Sequence, residues 1–355
     1  VSLLCKDLGV GIESVKVLHS YSKKKLTMDV IDKAYESLTQ VREPGMAVDL
    51  DVSDIRTIVE RGCAVLNAQP NVLYIKSNIY IVGDTHGQLH DILNYFNVLG
   101  SPLTKNYLFL GDVVDRGYQS VECLLLMLVC KIKRPNNFFI IRGNHETTDL
   151  QPNGRGASLK EECDERYSEE PDLVFNLLMR AMDSLPLVAI IGRRILCVHG
   201  CLASNFSLEK LKEQKLPFSL NSLTDEMRDI VTNLLWSDPF EYTDKQDSFP
   251  VKNVAKIGGS TITAYENPKR GSGEKTPDEL SCSILDKYGF DILVRGHECF
   301  HDGMSTSVSG RVFTVFGATH YHKNVKDITA SAVMQVSKDM KISFVQFFEE
   351  NTRTC

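Results

Sequence analysis

The strongest constraint on the fold is a pattern that recurs five times, in which a short apolar segment runs directly into a polar cluster. The segments are rich in β-branched and aromatic residues, and they cover residues 79–82, 107–110, 138–141, 195–198 and 291–294. The clusters that end or follow them are GDTHG, GDVVDRG, RGNHE, VHG and RGHE. Short runs of this composition predict buried strands. Since ligands of open α/β sheets gather beyond the carboxyl ends of strands, we expect the five clusters to meet at one edge.

Longer segments with helical periodicity alternate with these strands. Residues 52–67 and 120–131 carry apolar residues at helical spacing, and the alternation of strands with helices indicates an α/β fold. Near the end of the chain, three further strand-like segments, at 311–316, 329–336 and 341–348, predict an antiparallel meander that completes a second sheet.

The sequence predicts one large domain with an extension before it. Residues 1–50 are polar and weakly periodic, with a break at Glu43-Pro44-Gly45, and we interpret them as an N-terminal extension. The domain itself is predicted to cover residues 51–350. Within it, residues 241–276 form a long polar excursion, predicted as a loop or hairpin. Its interpretation stays open between a functional element and an incidental insertion.

Composition excludes several classes of protein. The net charge of −6 and the pI of about 5.9 argue against a nucleic-acid-coating surface, so that any basic site must be local. The longest apolar run, residues 124–129, is too short to span a membrane. Ten cysteines in a chain of 355 residues, without a Cys-x-x-Cys pair, favour a reducing compartment. We therefore expect a cytoplasmic or nuclear protein that binds neither nucleic acid nor membrane.

The polar clusters contain the donor atoms of a metal centre. Carboxylate or amide oxygens and imidazole nitrogens together form the ligand mix preferred by Mn, Fe or Zn. Two divalent ions about 3.5–4 Å apart can share a hydroxide, lower its pKa and clamp a phosphoryl group. The candidate ligands are Asp84, His86, Asp112, Asn144, His199 and His297.

Four further residues suggest the remaining chemistry of a hydrolase. His145 follows Asn144 directly and could protonate a leaving oxygen, and Asp115 could orient it and raise its basicity. Arg116 and Arg270 can each direct two N–H groups at phosphate oxygens, a geometry that lysine does not offer.

Each histidine taken alone has a simpler interpretation as a hydrogen-bonded core residue. We keep that interpretation for His301, His320 and His322. For the five clusters together it fails, because unpaired buried charges cost several kcal/mol each, by order of magnitude, and a bound metal removes that cost.

With these residues in place, the sequence resembles the phosphoprotein phosphatase family of metal-dependent serine/threonine protein phosphatases. The resemblance covers roughly residues 52–348 and rests on motifs in the family's order: GDTHGQ, GDVVDRG, RGNHE, VHG, LLWSDP and RGHE. The succession of the first three is highly specific. The implied fold is a metallophosphoesterase-type central β-sandwich of two mixed sheets flanked by helices.

The resemblance also implies residue roles. Asp84, His86 and Asp112 would hold one metal, and a second would be held by Asp112, Asn144, His199 and His297. His145 is implied as the general acid, paired with Asp115. The implied phosphate-binding residues are Arg116, Arg270, Asn144 and Tyr321, the last within GATHYH where the family has SAPNYC.

The implied reaction is hydrolysis of phosphoserine and phosphothreonine in proteins, by direct attack of a hydroxide held by two divalent ions. Phosphoprotein substrates and regulatory or targeting subunits are the implied partners. Two alternatives remain open: a phosphoesterase acting on nucleotides, and a catalytically altered scaffold derived from a phosphatase. The complete set of metal ligands favours the enzyme.

Overall fold

A computed structural model describes residues 26–41, 43–147, 157–240, 244, 248–319, 321 and 330–348. The described helices are α1 Leu26–Thr39, α2 Val52–Asn67, α3 Leu89–Leu99, α4 Ser120–Lys133, α5 Leu159–Arg166, α6 Pro171–Asp183, α7 Leu208–Glu213, α8 Asp225–Trp236 and α9 Asp278–Tyr288, with a 3₁₀ turn at Leu220–Ser222. None of these helices combines the length and apolarity that a membrane span requires.

The described strands form two large sheets and one small one. They are β1 Val72–Ile75, β2 Ile79–Val82, β3 Tyr107–Phe109, β4 Phe138–Ile140, β5 Val188–Ile191, β6 Ile195–Cys197, β7 Asp238–Pro239, β8 Val251–Ile257, β9 Ser260–Glu266, β10 Glu274–Thr276, β11 Ile292–Arg295, β12 Met304–Thr306, β13 Val312–Val315, β14 Ser331–Val336 and β15 Ile342–Phe347. The sheet orders are β1-β5-β6-β11-β13-β12, β15-β14-β2-β3-β4 and β7-β10-β9-β8.

The two large sheets pack face to face as a β-sandwich, which confirms the fold expected from the sequence. One apolar cluster joins residues of both sheets, including Ile81 and Leu108 from one and Cys197 and Val294 from the other. A second cluster lies between the β2-containing sheet and helices α1 to α6, and a third lies under α7, α8 and α9. Both sheets mix parallel and antiparallel neighbours. In one, β2 pairs parallel with β3 and antiparallel with β14, and in the other, β5 pairs parallel with β1 and antiparallel with β6.

Helix α4 explains why the helical layer is stable. Every residue from Ser120 to Lys131 is buried, because α1 and α2 cover the side of α4 that the sheet does not. A helix that is apolar on all sides is stable in water only when neighbours enclose it. In α1, the buried side chains Ile31, Ala34 and Leu38 recur at helical spacing. Residues 26–39 of the sequence-predicted extension therefore pack on the core, and the domain boundary at residue 50 stays a prediction.

The late strands differ from the predicted meander. Strands β14 and β15 do pair antiparallel, and β14 continues the sheet beside β2. Strand β13 instead lies parallel to β11 in the other sheet. The prediction of one three-stranded meander was therefore wrong, because the alternating pattern identifies strands but carries no information on which sheet each strand joins. The excursion at 241–276, predicted as a loop or hairpin, contains the β8–β9 hairpin.

Candidate active site

The loops after β2, β3, β4, β6 and β11 converge at one end of the sandwich, as the sequence predicted. Their backbones are held in unusual conformations. Positive φ angles occur at the non-glycine residues His86 (42°), Asp112 (50°), Asp115 (66°), Arg116 (75°) and His297 (68°). Such angles cost on the order of 1–3 kcal/mol each and cluster at functional sites.

Close backbone approach explains two of the glycines in the motifs. A Cβ atom at Gly296 would lie 2.3 Å from Oδ1 of Asp84, and one at Gly83 would lie 2.0 Å from the carbonyl oxygen of Val315. A side chain at position 296 would displace the Asp84 carboxylate, and one at position 83 would push the loop away from the backbone of Val315.

The Asp112 carboxylate is the centre of the arrangement. Its Oδ2 atom lies 3.4 Å from His199 Nε2, 3.7 Å from His86 Nε2 and 4.0 Å from His145 Nε2. Its Oδ1 atom accepts a hydrogen bond from the backbone N–H of His145 at 2.9 Å. One carboxylate oxygen is therefore surrounded by imidazoles from three different loops, which is the geometry expected of a residue shared by two metal ions.

On one side of Asp112 lie Asn144, His199 and His297. The distance from Asn144 Oδ1 to His199 Nε2 is 2.8 Å, and His199 Nε2 lies 3.2 Å from His297 Nδ1. His199 is oriented by a 2.9 Å contact between its Nδ1 and the carbonyl oxygen of Leu110. Together with Asp112, these are all four of the residues predicted to hold the second metal.

On the other side lie Asp84 and His86. Asp84 Oδ2 is 3.9 Å from His86 Nε2, and both Asp84 oxygens accept the backbone N–H of His297 at 3.0 Å. His86 is oriented by a 3.0 Å contact between its Nδ1 and the carbonyl oxygen of Val114. His145 also faces this side, because one of its ring nitrogens lies within 4.8 Å of a ring nitrogen of His86 and of a carboxylate oxygen of Asp112.

The donor set fits two divalent cations. Nε2 of His199 faces both an amide oxygen and another imidazole nitrogen, while the carboxylates of Asp84 and Asp112 are only 1% and 2% exposed. Several acceptor atoms therefore point at one another with few donors between them, which is costly in a buried site unless a cation lies there. Two groups of side chains offer converging ligand atoms: His86, Asp112 and His145, and Asp112, His199 and His297.

The protonation of these groups follows from burial and from their mutual charges. Burial lowers the pKa of His86 to about 3, so its imidazole is neutral and able to act as a ligand at physiological pH. Burial likewise lowers the pKa of His297. Burial raises the pKa of Asp84 to about 6. At Asp112 burial acts in the same direction, but the charges of His199 and His145 outweigh it and hold the pKa well below its usual value.

His145 and Asp115 form a pair beside the ligands. Nδ1 of His145 lies 2.7 Å from Oδ2 of Asp115, and Oδ1 of Asp115 accepts the backbone N–H of Leu159 at 2.8 Å. Burial opposes protonation of the ring, but the carboxylates of Asp112 and Asp115 raise the pKa of His145 above its ordinary value. An imidazole held in one orientation and charged more readily than usual is suited to donate a proton from Nε2.

Arg270 and Tyr321 reach the same end of the fold. Arg270 donates from Nε to Oδ2 of Asp238 at 2.9 Å and from an Nη atom to the carbonyl oxygen of His297 at 2.7 Å. The Tyr321 ring stacks on His86, with 4.9 Å between ring centroids. Burial raises the pKa of Tyr321, and the charges of Arg116 and Arg270 oppose that shift.

Sequence reasoning missed the residues that hold these groups in place. Glu146 accepts three backbone N–H groups, from Asp112 at 2.7 Å, Gly143 at 2.8 Å and Val113 at 2.9 Å. It therefore ties the RGNHE loop to the GDVVDRG loop. The signal was present in the sequence, since a glutamate directly after two functional residues of a buried loop needs several donors to offset its burial.

A second supporting network holds Arg270. Asp238 lies between Arg295, which donates to Oδ1 at 2.9 Å, and Arg270, and Arg295 also donates to Glu298 at 2.9 Å. Arg295, Asp238 and Glu298 are at most 3% exposed. A buried carboxylate shared by two guanidinium groups fixes the orientation of both.

The interpretation of His301 as a core residue was wrong. Its side chain is 70% exposed and lies 3.3 Å from Asp302, because the chain turns outward after the RGHE cluster. His320 and His322 lie outside the described residues.

This fold and this ligand set define the class of protein. Residues 77–300 match the calcineurin-like phosphoesterase family, and the chain belongs to that family. Within the family, the resemblance to the phosphoprotein phosphatases is confirmed by two relatives.

The first relative is a serine/threonine-protein phosphatase of Caenorhabditis elegans, 34% identical over 304 residues. The match covers 84% of this chain and 60% of that protein, so the chain spans less than two thirds of the relative's length.

The second relative is a solved structure, a protein serine/threonine phosphatase from Saccharomyces cerevisiae described as similar to human phosphatase PP5. It superimposes with a TM-score of 0.69 at 26% identity, over 86% of this chain and 92% of that chain. A cold-active protein tyrosine phosphatase shares the fold, with a TM-score of 0.52 at 15% identity over 79% of this chain and 82% of its own.

Proposed function

We propose that the protein is a serine/threonine protein phosphatase that hydrolyses phosphoserine and phosphothreonine by direct attack of water, with His145 as the general acid. The observation that carries the proposal is the convergence of imidazoles from three loops on Oδ2 of Asp112, with the Asp115–His145 pair beside them. The named activities of the worm and yeast relatives support the choice of substrate.

The metal site is proposed to take two divalent ions of the Mn, Fe or Zn type. Asp84, His86 and Asp112 would hold one ion, and Asp112, Asn144, His199 and His297 the other. Such a pair, when bound, supplies an activated water and neutralises phosphate charge.

The chain's own residues are proposed to position and protonate the substrate. Arg116 and Arg270 would bind two phosphate oxygens, assisted by Asn144 and Tyr321. Asp238 and the carbonyl oxygen of His297 hold the guanidinium of Arg270 before substrate arrives, which reduces the entropy that phosphate binding would otherwise cost. Nε2 of His145 would donate its proton to the serine or threonine oxygen as the phosphorus–oxygen bond breaks.

The test is an assay of the purified protein, stripped of metal and reloaded with manganese, on a phosphothreonine peptide and on p-nitrophenyl phosphate. We expect metal-dependent phosphate release from both. The His145→Asn variant is expected to lose roughly 10²–10⁴-fold in kcat on the peptide, because its serine or threonine leaving group needs a proton. The loss on p-nitrophenyl phosphate should be smaller, since nitrophenolate leaves without one.

Metal analysis separates the alternatives. Bound metal without turnover of either ester would contradict the proposal and favour a scaffold. Turnover of p-nitrophenyl phosphate and nucleotides but not of the peptide would contradict the protein substrate and favour a nucleotide phosphoesterase.

A further inference from the structure

A long groove lies at the end of the sandwich opposite the candidate active site. Strands β5 and β6 are antiparallel and are joined by the turn at residues 192–194, while the other end of β6 leads to His199. Likewise, Lys76 precedes β2, whose far end leads to Asp84. At about 3.3 Å per residue, the six residue steps from Arg193 to His199 and the eight from Lys76 to Asp84 separate the groove from the metal ligands by roughly 20–25 Å.

The groove consists of two adjoining cavities of about 930 and 890 Å³ that share Tyr74, Ile75, Lys76 and Gly192. One wall is apolar and aromatic, with Leu208, Tyr288 and Phe290 facing Tyr74. The Tyr74 ring is 60% exposed. An aromatic side chain of this exposure on β1, the edge strand of its sheet, offers contact area without first having to leave a packed position.

The turn that forms the floor is fixed. The N–H of Gly192 donates to the carbonyl oxygen of Ile75 at 2.9 Å, and the residue has a positive φ of 57°. A Cβ atom there would lie 2.6 Å from the sulfur of Met340. The groove therefore has a shaped, hydrogen-bonded base.

The rim of the groove is basic, although the whole chain carries a net charge of −6. The four cations that line it are Lys76, Arg193, Lys212 and Lys338, all exposed. Lys212 lies over the Tyr74 ring, with its Nζ 5.8 Å from the ring centroid. Within the described part of the chain, none of the four lies within 4.0 Å of an acidic side chain, whereas Arg194 next to them is paired with Asp291.

Among the described residues, the one acidic side chain that lines the groove is already engaged. Glu209 accepts the hydroxyl of Tyr288 at 2.8 Å and that of Ser207 at 3.2 Å. The groove thus combines an apolar wall with four cations that have no counter-charge among the described residues.

We propose that this groove docks an extended, acidic segment of a partner protein, with apolar or aromatic side chains on the Tyr74 wall and carboxylates on the basic rim. Side chains of an extended peptide alternate between two faces, so one short segment can satisfy both surfaces at once. A small anion would leave the apolar wall uncovered. Because the groove lies at the far end from the metal ligands, the docked segment leaves the active site open, and the proposal is independent of the catalytic one.

The probe is a phage-displayed library of random 16-residue peptides, selected on the full-length protein. Selected peptides are then synthesised with a fluorescent label, and their binding is measured by fluorescence anisotropy. The groove variant combines Lys76→Glu with Arg193→Glu. The control variant combines Arg56→Glu with Lys256→Glu, two exposed cations from α2 and β8, so that both variants carry the same net charge.

We expect selection of acidic peptides with apolar or aromatic residues. These should bind the groove variant at least about tenfold more weakly than the control variant, and more weakly still at higher salt. Tyr74→Ala should also weaken binding, with little dependence on salt. Thermal melting of each variant checks that the fold is intact.

Four outcomes would overturn the proposal. Selected peptides could lack acidic residues or bind both double variants equally. A single-stranded oligothymidylate could bind in a Lys76- and Arg193-dependent manner while the peptides do not, which would indicate a nucleic-acid site. Light scattering could show a dimer that the groove variant abolishes, which would make a second copy of the chain the occupant.

Discussion

At one end of the sandwich, His86, Asp112 and His199 are at most 2% exposed and lie within hydrogen-bonding or metal-ligating distance of several neighbours. At the opposite end, Lys76, Arg193 and Tyr74 are exposed. The buried end depends on exact geometry, so each of its residues is constrained by others. The exposed end depends on charge and apolar area, and substitutions there leave the fold intact. The two ends should therefore respond very differently to substitution.

Asp112→Asn should give the largest effect. It removes the carboxylate charge from the position that we propose both metals share, so metal content and phosphatase activity should fall together, activity by about 10³-fold or more. Metal analysis and phosphate release from a phosphothreonine peptide measure the two quantities. The matched control is Asp286→Asn, an exposed carboxylate paired with Arg311, which should change neither. Full metal content in Asp112→Asn would contradict the shared-ligand interpretation.

Arg270→Lys should lower kcat/KM on the peptide substrate by roughly 10–100-fold. A charge-assisted hydrogen bond contributes about 1.5–3 kcal/mol, and lysine cannot direct two parallel N–H groups at the phosphate as a guanidinium group does. Metal content should not change, because Arg270 contacts His297 only through its carbonyl oxygen. The neighbouring Lys269→Arg variant, at a side chain that is 60% exposed, is the control. Equal losses in the two variants would argue against Arg270 as a phosphate ligand.

Two buried glutamates allow a sharper comparison within the folded core. Glu146 accepts three backbone N–H groups at the metal site, and Glu162 accepts the N–H groups of Ser120 and Val121 and pairs with Arg166. In each, a change to Gln places a side-chain NH2 group opposite a backbone N–H group. The free energy of unfolding, measured in urea, should therefore fall by about 1–3 kcal/mol. Only Glu146→Gln should also weaken metal binding, by roughly 10–100-fold in a metal titration. A similar loss of metal affinity in Glu162→Gln would mean that general destabilisation explains both.

The smallest effect is expected at the far end. Lys76→Glu with Arg193→Glu should change the free energy of unfolding by less than about 0.5 kcal/mol for each substitution, because neither side chain has an ionic partner among the described residues. Activity on p-nitrophenyl phosphate should stay within about twofold of the unmodified protein, since the groove lies roughly 20–25 Å from the metal ligands. A large loss of activity would show that the two ends are coupled.

Much of the catalytic end could be predicted because its signals are local in the chain. Asp84 and His86 follow β2 within four residues, and Asn144 and His145 follow β4 by four and five residues. Since a strand pattern is read over a few residues, the residues at its end can be assigned to the sheet edge before any long-range contact is known. The polar excursion at 241–276 was likewise predicted as a loop or hairpin, and its Gly258-Gly259 pair forms the turn between β8 and β9.

The remaining features depend on contacts between distant parts of the chain. The sequence by itself determined the α/β class, the chemistry of the donor atoms and their placement after strands, because side-chain type and strand periodicity are local properties. Only the tertiary structure decided that β13 joins the sheet of β11, that Asp238 holds Arg270 against His297, that Glu146 ties two loops together and that Tyr74 and Lys212 share a groove. These arrangements follow from sheet order and packing, which depend on the free energy of the whole fold and leave no mark within a short stretch of sequence.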